Sequence, residues 1–305
     1  MTLDPAYSTP LGSCYHADAL DVLRSLPDDS VSLVVTSPPF ALRRKKAYGN
    51  VDATQYIDWF VPFADEIRRV LRPDGSFVFE LAPAWEKGTG TRSLFPYELI
   101  LRLCKTFPLI QEVYWHNPSR LPSPAEYVTI KRTRIKDAVN VVWWLGKTTT
   151  PKADNRRVLR PYSRSMHRLF REGVQTAHRP SDHRIGAGFD RDNGGAIPPN
   201  LLQLANTISN DPYLDACRAA DLTPHPARFP EALPEFFIRL LTDEGDTVLD
   251  PFAGSNVTGR AAETLARRWI ACELNEEYVA GSRLRFEAML EEEPLASVPL
   301  GYTTE

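Results

Sequence analysis

The chain has 305 residues and a formal net charge of −3, and 43% of its residues are hydrophobic and 25% charged. This balance is typical of a folded globular protein and excludes a disordered chain. No window reaches 18 apolar residues and the first residues lack a signal-peptide pattern, so we expect a cytoplasmic protein without membrane segments. The four cysteines and six histidines show no paired or ligand-like spacing, so neither disulfides nor a metal site are predicted.

Helix-like and strand-like apolar patterns alternate along the first half of the chain. They predict strands at 13–17, 31–36, 76–81, 109–117 and 139–145, and helices at 19–27, 56–71 and near 93–107. The run VSLVVT at 31–36 is typical of a strand buried on both faces of a parallel sheet. The alternation therefore predicts an α/β fold.

The periodicity is lost between about 146 and 215, where Arg, Pro, Gly, Asn and Ser dominate. Residues 116–192 contain 16 Lys and Arg against 7 Asp and Glu, a local charge of +9, so the rest of the chain carries −12. This asymmetry favours a basic face that binds nucleic acid, although a solvated basic loop would have the same composition. We interpret the aperiodic stretch as an insertion.

The last third of the chain contains a complete βαβ unit. A helix is predicted at 229–242, and residues 246–290 then read as strand, turn, helix, strand and helix. The first strand ends in Asp250 and passes through Gly254 into a helix whose N–H groups can face a ligand. Glu273 ends the next strand, where a carboxylate can accept both hydroxyls of a ribose. The unit favours a nucleoside ligand, although a purely structural strand–turn–helix corner would have the same pattern.

No phosphate-binding motif accompanies this unit. G-x-G-x-x-G is absent, and Arg260 and Ala261 stand where a P-loop needs Lys and Ser or Thr. A nucleoside without a polyphosphate fits better, and S-adenosylmethionine is the common ligand of that kind.

The stretch TSPPF, at 36–40, follows the buried strand directly. Proline fixes φ and donates no N–H, so Pro38 and Pro39 form a stiff extended segment at the ligand-binding end of the sheet. The Ser37 hydroxyl and a proline carbonyl could accept the two hydrogens of a nucleobase amine, and Phe40 could stack on the base. A base held in this way must first leave the duplex. A simple proline turn is the structural alternative.

These stretches together resemble the DNA amino-methyltransferases. TSPPF is similar to their catalytic motif and DPFAGSNVTG to their cofactor loop, and the order of the two resembles the permuted beta group. SPPFALRRKKAYGN, KDAVNVVWW, DNGGAIPPN and HPARFPEALPEFFIR are further similar to the PvuII-type cytosine-N4 methyltransferases of restriction–modification systems. The resemblance runs from about residue 12 to 286.

The resemblance implies a role for specific positions. The catalytic residues would be Ser37, Pro38, Pro39 and Phe40, and the cofactor residues Asp18, His225, Phe229, Pro230, Asp250, Phe252, Gly254, Ser255 and Glu273. Where relatives often have Asp-Phe-Gly after the second strand, this chain has Glu80, Leu81 and Ala82, so Glu80 receives no role. Basic residues expected to contact DNA are Arg43, Arg44, Lys45 and Lys46 beside the catalytic motif and Lys131, Arg132, Arg134 and Lys136 in the basic stretch.

The fold expected from the resemblance is a single methyltransferase domain, 1–305, with a mostly parallel, circularly permuted, seven-stranded sheet. Its catalytic half would span about 12–147, a target-recognition insertion about 148–215, and the cofactor half about 222–290. The expected activity is transfer of a methyl group from S-adenosylmethionine to the N4 amine of cytosine in duplex DNA. The enzyme would act as a monomer, and a separately encoded restriction endonuclease would be its cognate partner.

Two other functions stay open at this point. Adenine-N6 methylation would use the same scaffold, but Asp or Asn usually replaces Ser37 in such enzymes. A DNA-binding regulator with a dead methyltransferase fold is disfavoured by the intact Ser37 and Glu273. The DNA sequence that the protein recognises cannot be derived from these residues.

Overall fold

The computed structural model describes residues 3–40, 51–81, 85–86, 89–173, 191–206 and 211–291. The strands are β1 (Tyr7–Ser8), β2 (Gly12–His16), β3 (Val31–Thr36), β4 (Leu71–Leu81), β5 (Leu109–His116), β6 (Val139–Gly146), β7 (Leu201–Gln203), β8 (Thr247–Asp250) and β9 (Arg268–Glu273). The α-helices are α1 (Ala19–Ser25), α2 (Tyr56–Val70), α3 (Phe95–Leu103), α4 (Arg164–Glu172), α5 (Pro212–Ala219), α6 (Ala232–Leu241), α7 (Val257–Thr264) and α8 (Glu276–Glu291). A π-helical turn spans Glu126–Ile130 and a 3₁₀ turn spans Asn155–Val158.

In the described part of the chain these strands form one sheet, in the order β1-β2-β9-β8-β3-β4-β6-β5-β7. The neighbours from β2 to β4 are parallel, whereas β6 runs antiparallel to both β4 and β5. The mostly parallel α/β fold predicted from the sequence is confirmed. The sheet has nine strands instead of seven, because the short strands β1 and β7 extend its two edges.

The C-terminal βαβ unit lies in the middle of the sheet. Strand β8 pairs with β3 through Leu33 opposite Val248 and Val34 opposite Leu249. The carboxyl ends of a strand near the start of the chain and of one near its end therefore meet at the same edge. Open α/β sheets bind ligands at this edge.

Two apolar clusters cover the two faces of the sheet. One packs α1, α2 and α3 against it, and includes a ring series in which Phe60 stacks between Tyr56 and Phe77. The other packs α6, α7 and α8 against the opposite face, with Trp269 stacked on Phe286. Helices on both faces explain why the central strands read as continuous apolar runs.

The aperiodic stretch contains more regular structure than the sequence pattern indicated. Helix α4 has only nine residues, none of them buried, and its apolar positions Met166, Leu169 and Phe170 span little more than one turn, which is too short a pattern to stand out from the surrounding basic stretch. Helix α5 begins with a cap signal instead, because the Asp211 side chain accepts the N–H of Tyr213 and Pro212 is the first helical residue.

The helix predicted at 229–242 starts three residues later, at Ala232, and β4 starts five residues earlier than predicted, at Leu71.

None of the helices within the described ranges is both long and apolar enough to cross a bilayer.

Candidate active site

A cavity of about 740 Å³ lies at the carboxyl ends of β3, β8 and β9. It is lined by the predicted catalytic and cofactor residues with one exception: Asp18, Ser37, Pro38, Pro39, Phe40, His225, Phe229, Asp250, Phe252, Gly254, Ser255 and Glu273. Pro230 is the exception, since it is buried and its carbonyl accepts the N–H of Leu233 at the start of α6. The two motifs at opposite ends of the sequence therefore share one cavity.

The turn between β8 and α7 depends on Gly254. Its φ of +53° is a left-handed conformation, and a Cβ at this position would lie 3.0 Å from the His225 ring. The turn directs the Gly254 N–H to the Glu273 Oε2 at 2.9 Å. Glycine thus allows the loop, the His225 ring and the acidic end of β9 to approach one another.

The carboxylate of Glu273 is held by main-chain donors. Oε2 accepts from Gly254 and Oε1 accepts the N–H of Asn275 at 2.9 Å. Burial raises the pKa of Glu273, and these backbone hydrogen bonds oppose that rise. A carboxylate oxygen has more than one lone pair, so each oxygen can still accept a ligand hydroxyl.

Asp250 connects the end of β3 to the loop and helix that follow β8. Its Oδ1 accepts from the Thr36 hydroxyl at 2.6 Å and from the Phe252 N–H at 3.1 Å, and its Oδ2 accepts from the Thr258 hydroxyl at 2.7 Å. The residue is 2% exposed, and burial raises its pKa to about 6. Because protein donors occupy both oxygens, Asp250 fixes β3, the cofactor loop and α7 relative to one another.

Ser37 contacts a residue to which the sequence analysis gave no role. Its hydroxyl donates a 2.8 Å hydrogen bond to Oε2 of Glu80, which lies near the end of β4 and is 4% exposed. Burial raises the pKa of Glu80 to about 7, while the Ser37 hydroxyl, the Arg120 guanidinium and the Asn140 amide act in the opposite direction. Among the residues that the structure describes, Oε1 of Glu80 is buried and has no hydrogen-bond partner. The available signal was a carboxylate near the end of an apolar strand.

Aromatic side chains form the apolar walls of the cavity. The ring centroid of Phe252 lies 5.2 Å from that of Phe63 and 5.9 Å from that of Trp59, and both of these residues are on α2. Phe40 lines the cavity and is partly buried against the same apolar cluster. Planar ligands can therefore stack within this site.

Two predicted cofactor residues have side chains that already serve the fold. The Asp18 carboxylate caps α1 by accepting the N–H of Leu20 at 2.8 Å. The Ser255 side chain is 2% exposed, and Arg285 donates to both its carbonyl, at 2.7 Å, and its hydroxyl, at 3.2 Å. Their contribution to ligand binding stays a prediction.

A family model described as DNA methylase matches residues 31–283. The chain belongs to this DNA methylase family. It is 50% identical over 287 residues to the type II methyltransferase M.PvuII of Proteus hauseri, over 92% of this chain and 85% of the relative.

Solved structures of DNA methylases have the same fold. The PvuII DNA methyltransferase (cytosine-N4-specific) matches with a TM-score of 0.76 and 45% identity, over 92% of this chain and 88% of that one. A putative DNA modification methylase from Thermus thermophilus, complexed with S-adenosyl-L-methionine, matches with a TM-score of 0.55 and 24% identity, over 90% and 93% of the two chains. The second likeness concerns the fold alone.

The basic residues predicted to contact DNA divide into two groups. Arg43, Arg44, Lys45 and Lys46 lie outside the described residues. Lys131, Arg132, Arg134 and Lys136 are exposed on the segment between β5 and β6, which also contains the cavity residues Asn117 and Arg120. Lys131 forms an ion pair with Glu126 at 2.7 Å. In this DNA methylase the second group thus lies on a segment that leads out of the cavity.

Replacing Asp250 with Asn should flatten the pH dependence of stability. With a folded pKa of about 6 against about 3.9 for an unfolded chain, Asp250 lowers the stability of the native state as pH rises from about 4 to about 6. The expected loss over that range is about 3 kcal/mol, measured by urea unfolding at a series of pH values. Glu80 also lowers the stability of the native state as pH rises to about 7, and this contribution remains in the Asp250→Asn variant. The exposed Asp58→Asn should behave like the wild type, and an equally steep fall in Asp250→Asn would contradict the assignment.

Proposed function

We propose that this DNA methylase transfers a methyl group from S-adenosylmethionine to the N4 amine of a cytosine flipped out of duplex DNA. The observation that carries the proposal is that Ser37 and Glu273 line one cavity. They lie at the ends of β3 and β9, which both neighbour β8, so an amine acceptor and a ribose acceptor face the same space. The reaction requires this proximity because both substrates must be held together for direct transfer.

The cavity suits the cofactor in size and in charge. Its volume of about 740 Å³ lies within the range of pockets that enclose small ligands. Glu273 would accept the ribose hydroxyls, and the ring of Phe252 would form an apolar wall against the adenine. The bound cofactor supplies an electrophilic methyl group and carries positive charge, which the buried carboxylates of the site complement.

Ser37 is oriented for catalysis by Glu80. Because the Ser37 hydroxyl donates its hydrogen to Glu80, its oxygen lone pairs are left to accept an N–H of the target amine. A carbonyl of the adjacent prolines would accept the second N–H, which draws the nitrogen towards a tetrahedral geometry with its lone pair free. Phe40 would stack on the ring. No covalent bond between enzyme and base is needed.

Glu80 also provides a destination for the proton that the amine must lose. When the N4 nitrogen gains a methyl group, one of its protons passes to the Ser37 oxygen while the original Ser37 proton passes to Glu80. A carboxyl with a pKa of about 7 can accept a proton near neutral pH and release it afterwards. The ionised form of Glu80 is therefore the active one.

Cytosine is favoured over adenine as the target base. The matching family covers DNA methylases in general, whereas the 50% identical relative is M.PvuII and the solved PvuII enzyme is described as cytosine-N4-specific. The Ser37 side chain is shorter than that of Asp or Asn. The pocket beside it therefore suits a single pyrimidine ring that stacks on Phe40 while its N4 amine contacts Ser37. The inactive-regulator alternative is disfavoured because the acceptors in the cavity are intact.

The proposed function also implies how the protein binds DNA and which partner protein it has. We infer that the enzyme acts as a monomer in the cytoplasm. It binds duplex DNA through the exposed cations between β5 and β6 and through Arg43–Lys46. Residues 148–215 read the target sequence and lie in the chain between a catalytic half at 12–147 and a cofactor half at 222–290. A separately encoded restriction endonuclease that cleaves the same site would be its cognate partner.

The product of the reaction tests the proposed function. Duplex DNA incubated with enzyme and labelled S-adenosylmethionine should yield N4-methylcytosine on nucleoside mass analysis. Ser37→Ala should bind the cofactor normally in calorimetry but lose turnover by roughly 10² to 10³-fold, since one acceptor of the target amine disappears. Ser25→Ala, at the end of α1, should keep full turnover. N6-methyladenine as the main product would refute the choice of base.

The role of Glu80 predicts a specific pH profile. Single-turnover methylation should rise with pH through about 7 in the wild type, because Glu80 must be ionised. Glu80→Gln should lose this acid limb and about 100-fold or more in rate at pH 8, as expected for removal of a general base. Glu98→Gln, on the exposed side of α3, serves as the control. An acid limb with the same midpoint in Glu80→Gln would assign the titration to another group.

The exposed cations predict the salt dependence of DNA binding. Replacing Lys131, Arg132, Arg134 and Lys136 with Gln should weaken binding to all duplex sequences alike. The slope of log K against log salt should become shallower by about 0.9 for each phosphate that the protein no longer neutralises. Lys105→Gln, which follows α3 outside this segment, should leave the slope unchanged. If the fourfold variant keeps the wild-type slope, this segment does not contact the phosphates.

A further inference from the structure

A row of polar side chains continues along the cavity beyond Ser37. Glu80, Asn140 and Arg120 all line it, although the sequence analysis assigned none of them. Asn140 lies on β6 and is 8% exposed, and Arg120 is half-buried in the segment that follows β5. The row therefore begins at the acceptor for the target amine and ends at a cation.

Arg120 is oriented by Asn140. Its Nη1 donates a hydrogen bond to the Asn140 Oδ1. A guanidinium has five N–H donors, and within the described ranges Arg120 forms no ion pair with a carboxylate that would occupy the others. A planar charged donor is thus held in the cavity wall with further donors available, which is an arrangement suited to an acceptor that arrives with a ligand.

The two ends of this row are complementary to the two ends of one base edge. Cytosine presents the N4 amine as a donor, then N3 and O2 as acceptors, whereas adenine has a C–H where cytosine has O2. The Ser37 oxygen accepts at the first position, and Arg120 donates at the far end. Only a base with an acceptor at that end can use the remaining Arg120 donors, and a base without one leaves those donors without a hydrogen bond.

We propose that Arg120, fixed by Asn140, donates a hydrogen bond to the O2 carbonyl of the flipped base and so selects cytosine over adenine. The proposal rests on the proposed cytosine-N4 activity. It makes Arg120 a specificity-determining residue at the base, distinct from the exposed cations between β5 and β6 that contact phosphates.

A cycle that changes both the protein and the base isolates this contact. One duplex carries cytosine at the target position, and a second carries a 2-aminopyridine C-nucleoside, which keeps the amine and the ring nitrogen but has hydrogen in place of O2. We compare kcat/KM on both duplexes for the wild type, Arg120→Ala and the control Arg72→Ala. Arg72 lies near the start of β4, at the end of the strand opposite to Glu80. Differences in the intrinsic reactivity of the two bases cancel, because they are the same for every protein.

We expect removal of O2 to cost the wild type about 10- to 100-fold more than it costs Arg120→Ala. The control should lose as much as the wild type. Calorimetric binding of S-adenosylmethionine checks that each variant is folded, and Arg120→Met, which keeps the apolar stem, replaces Arg120→Ala if that variant does not fold.

Two results would overturn the inference in different ways. If the wild type methylates cytosine but loses the same factor as Arg120→Ala when O2 is removed, Arg120 does not contact O2, and a flatter salt slope in Arg120→Ala would then assign it to a phosphate. If the wild type forms no N4-methylcytosine on any duplex, the proposed function itself fails.

Discussion

The buried hydrogen bonds of Asp250 are the interaction on which the site depends. They connect Thr36, the residue before the proposed catalytic residue Ser37, to the turn and helix that follow β8. Thr36 and Asp250 are 214 residues apart in sequence, and their strands are neighbours only because β8 inserts beside β3. This cross-link fixes Ser37 relative to the loop that follows β8, two segments that lie far apart along the chain.

The same cross-link has an electrostatic consequence. Asp250 and Glu80 are buried and Glu273 is half-buried at one cavity, and burial raises the pKa of each. A cationic methyl donor would relieve this unfavourable burial of negative charge, so the free site is less well satisfied than the loaded one. Part of the cost of building the site is therefore recovered when the cofactor binds.

The sequence predicted the fold and the location of the cavity well, because both depend on local patterns. Apolar runs ending in Ser37, Asp250 and Glu273 locate strand ends, and strand ends of a parallel sheet share an edge. Glu80 lies near such a strand end, but its role, like that of Arg120, could not be derived in this way. Their partners come from other strands and loops, so their meaning depends on register across β3, β4 and β6. Helix α4 escaped prediction for another reason, since its apolar positions Met166, Leu169 and Phe170 span little more than one turn within a basic, aperiodic stretch.

The division of labour in the cavity follows from the two kinds of strand pairing in the sheet. The parallel strands β3, β8 and β9 contribute residues at their carboxyl ends, which bring the proposed amine acceptor Ser37 and the proposed cofactor residue Glu273 to one cavity. The antiparallel β6 instead presents residues near its start at the same edge, which places Asn140 next to Glu80 and anchors Arg120. In the proposed mechanism the methyl-transfer groups at the ends of β3, β8 and β9 therefore lie on parallel strands, whereas the proposed choice of base depends on Asn140 and Arg120, which the antiparallel pair β5 and β6 holds at the same edge.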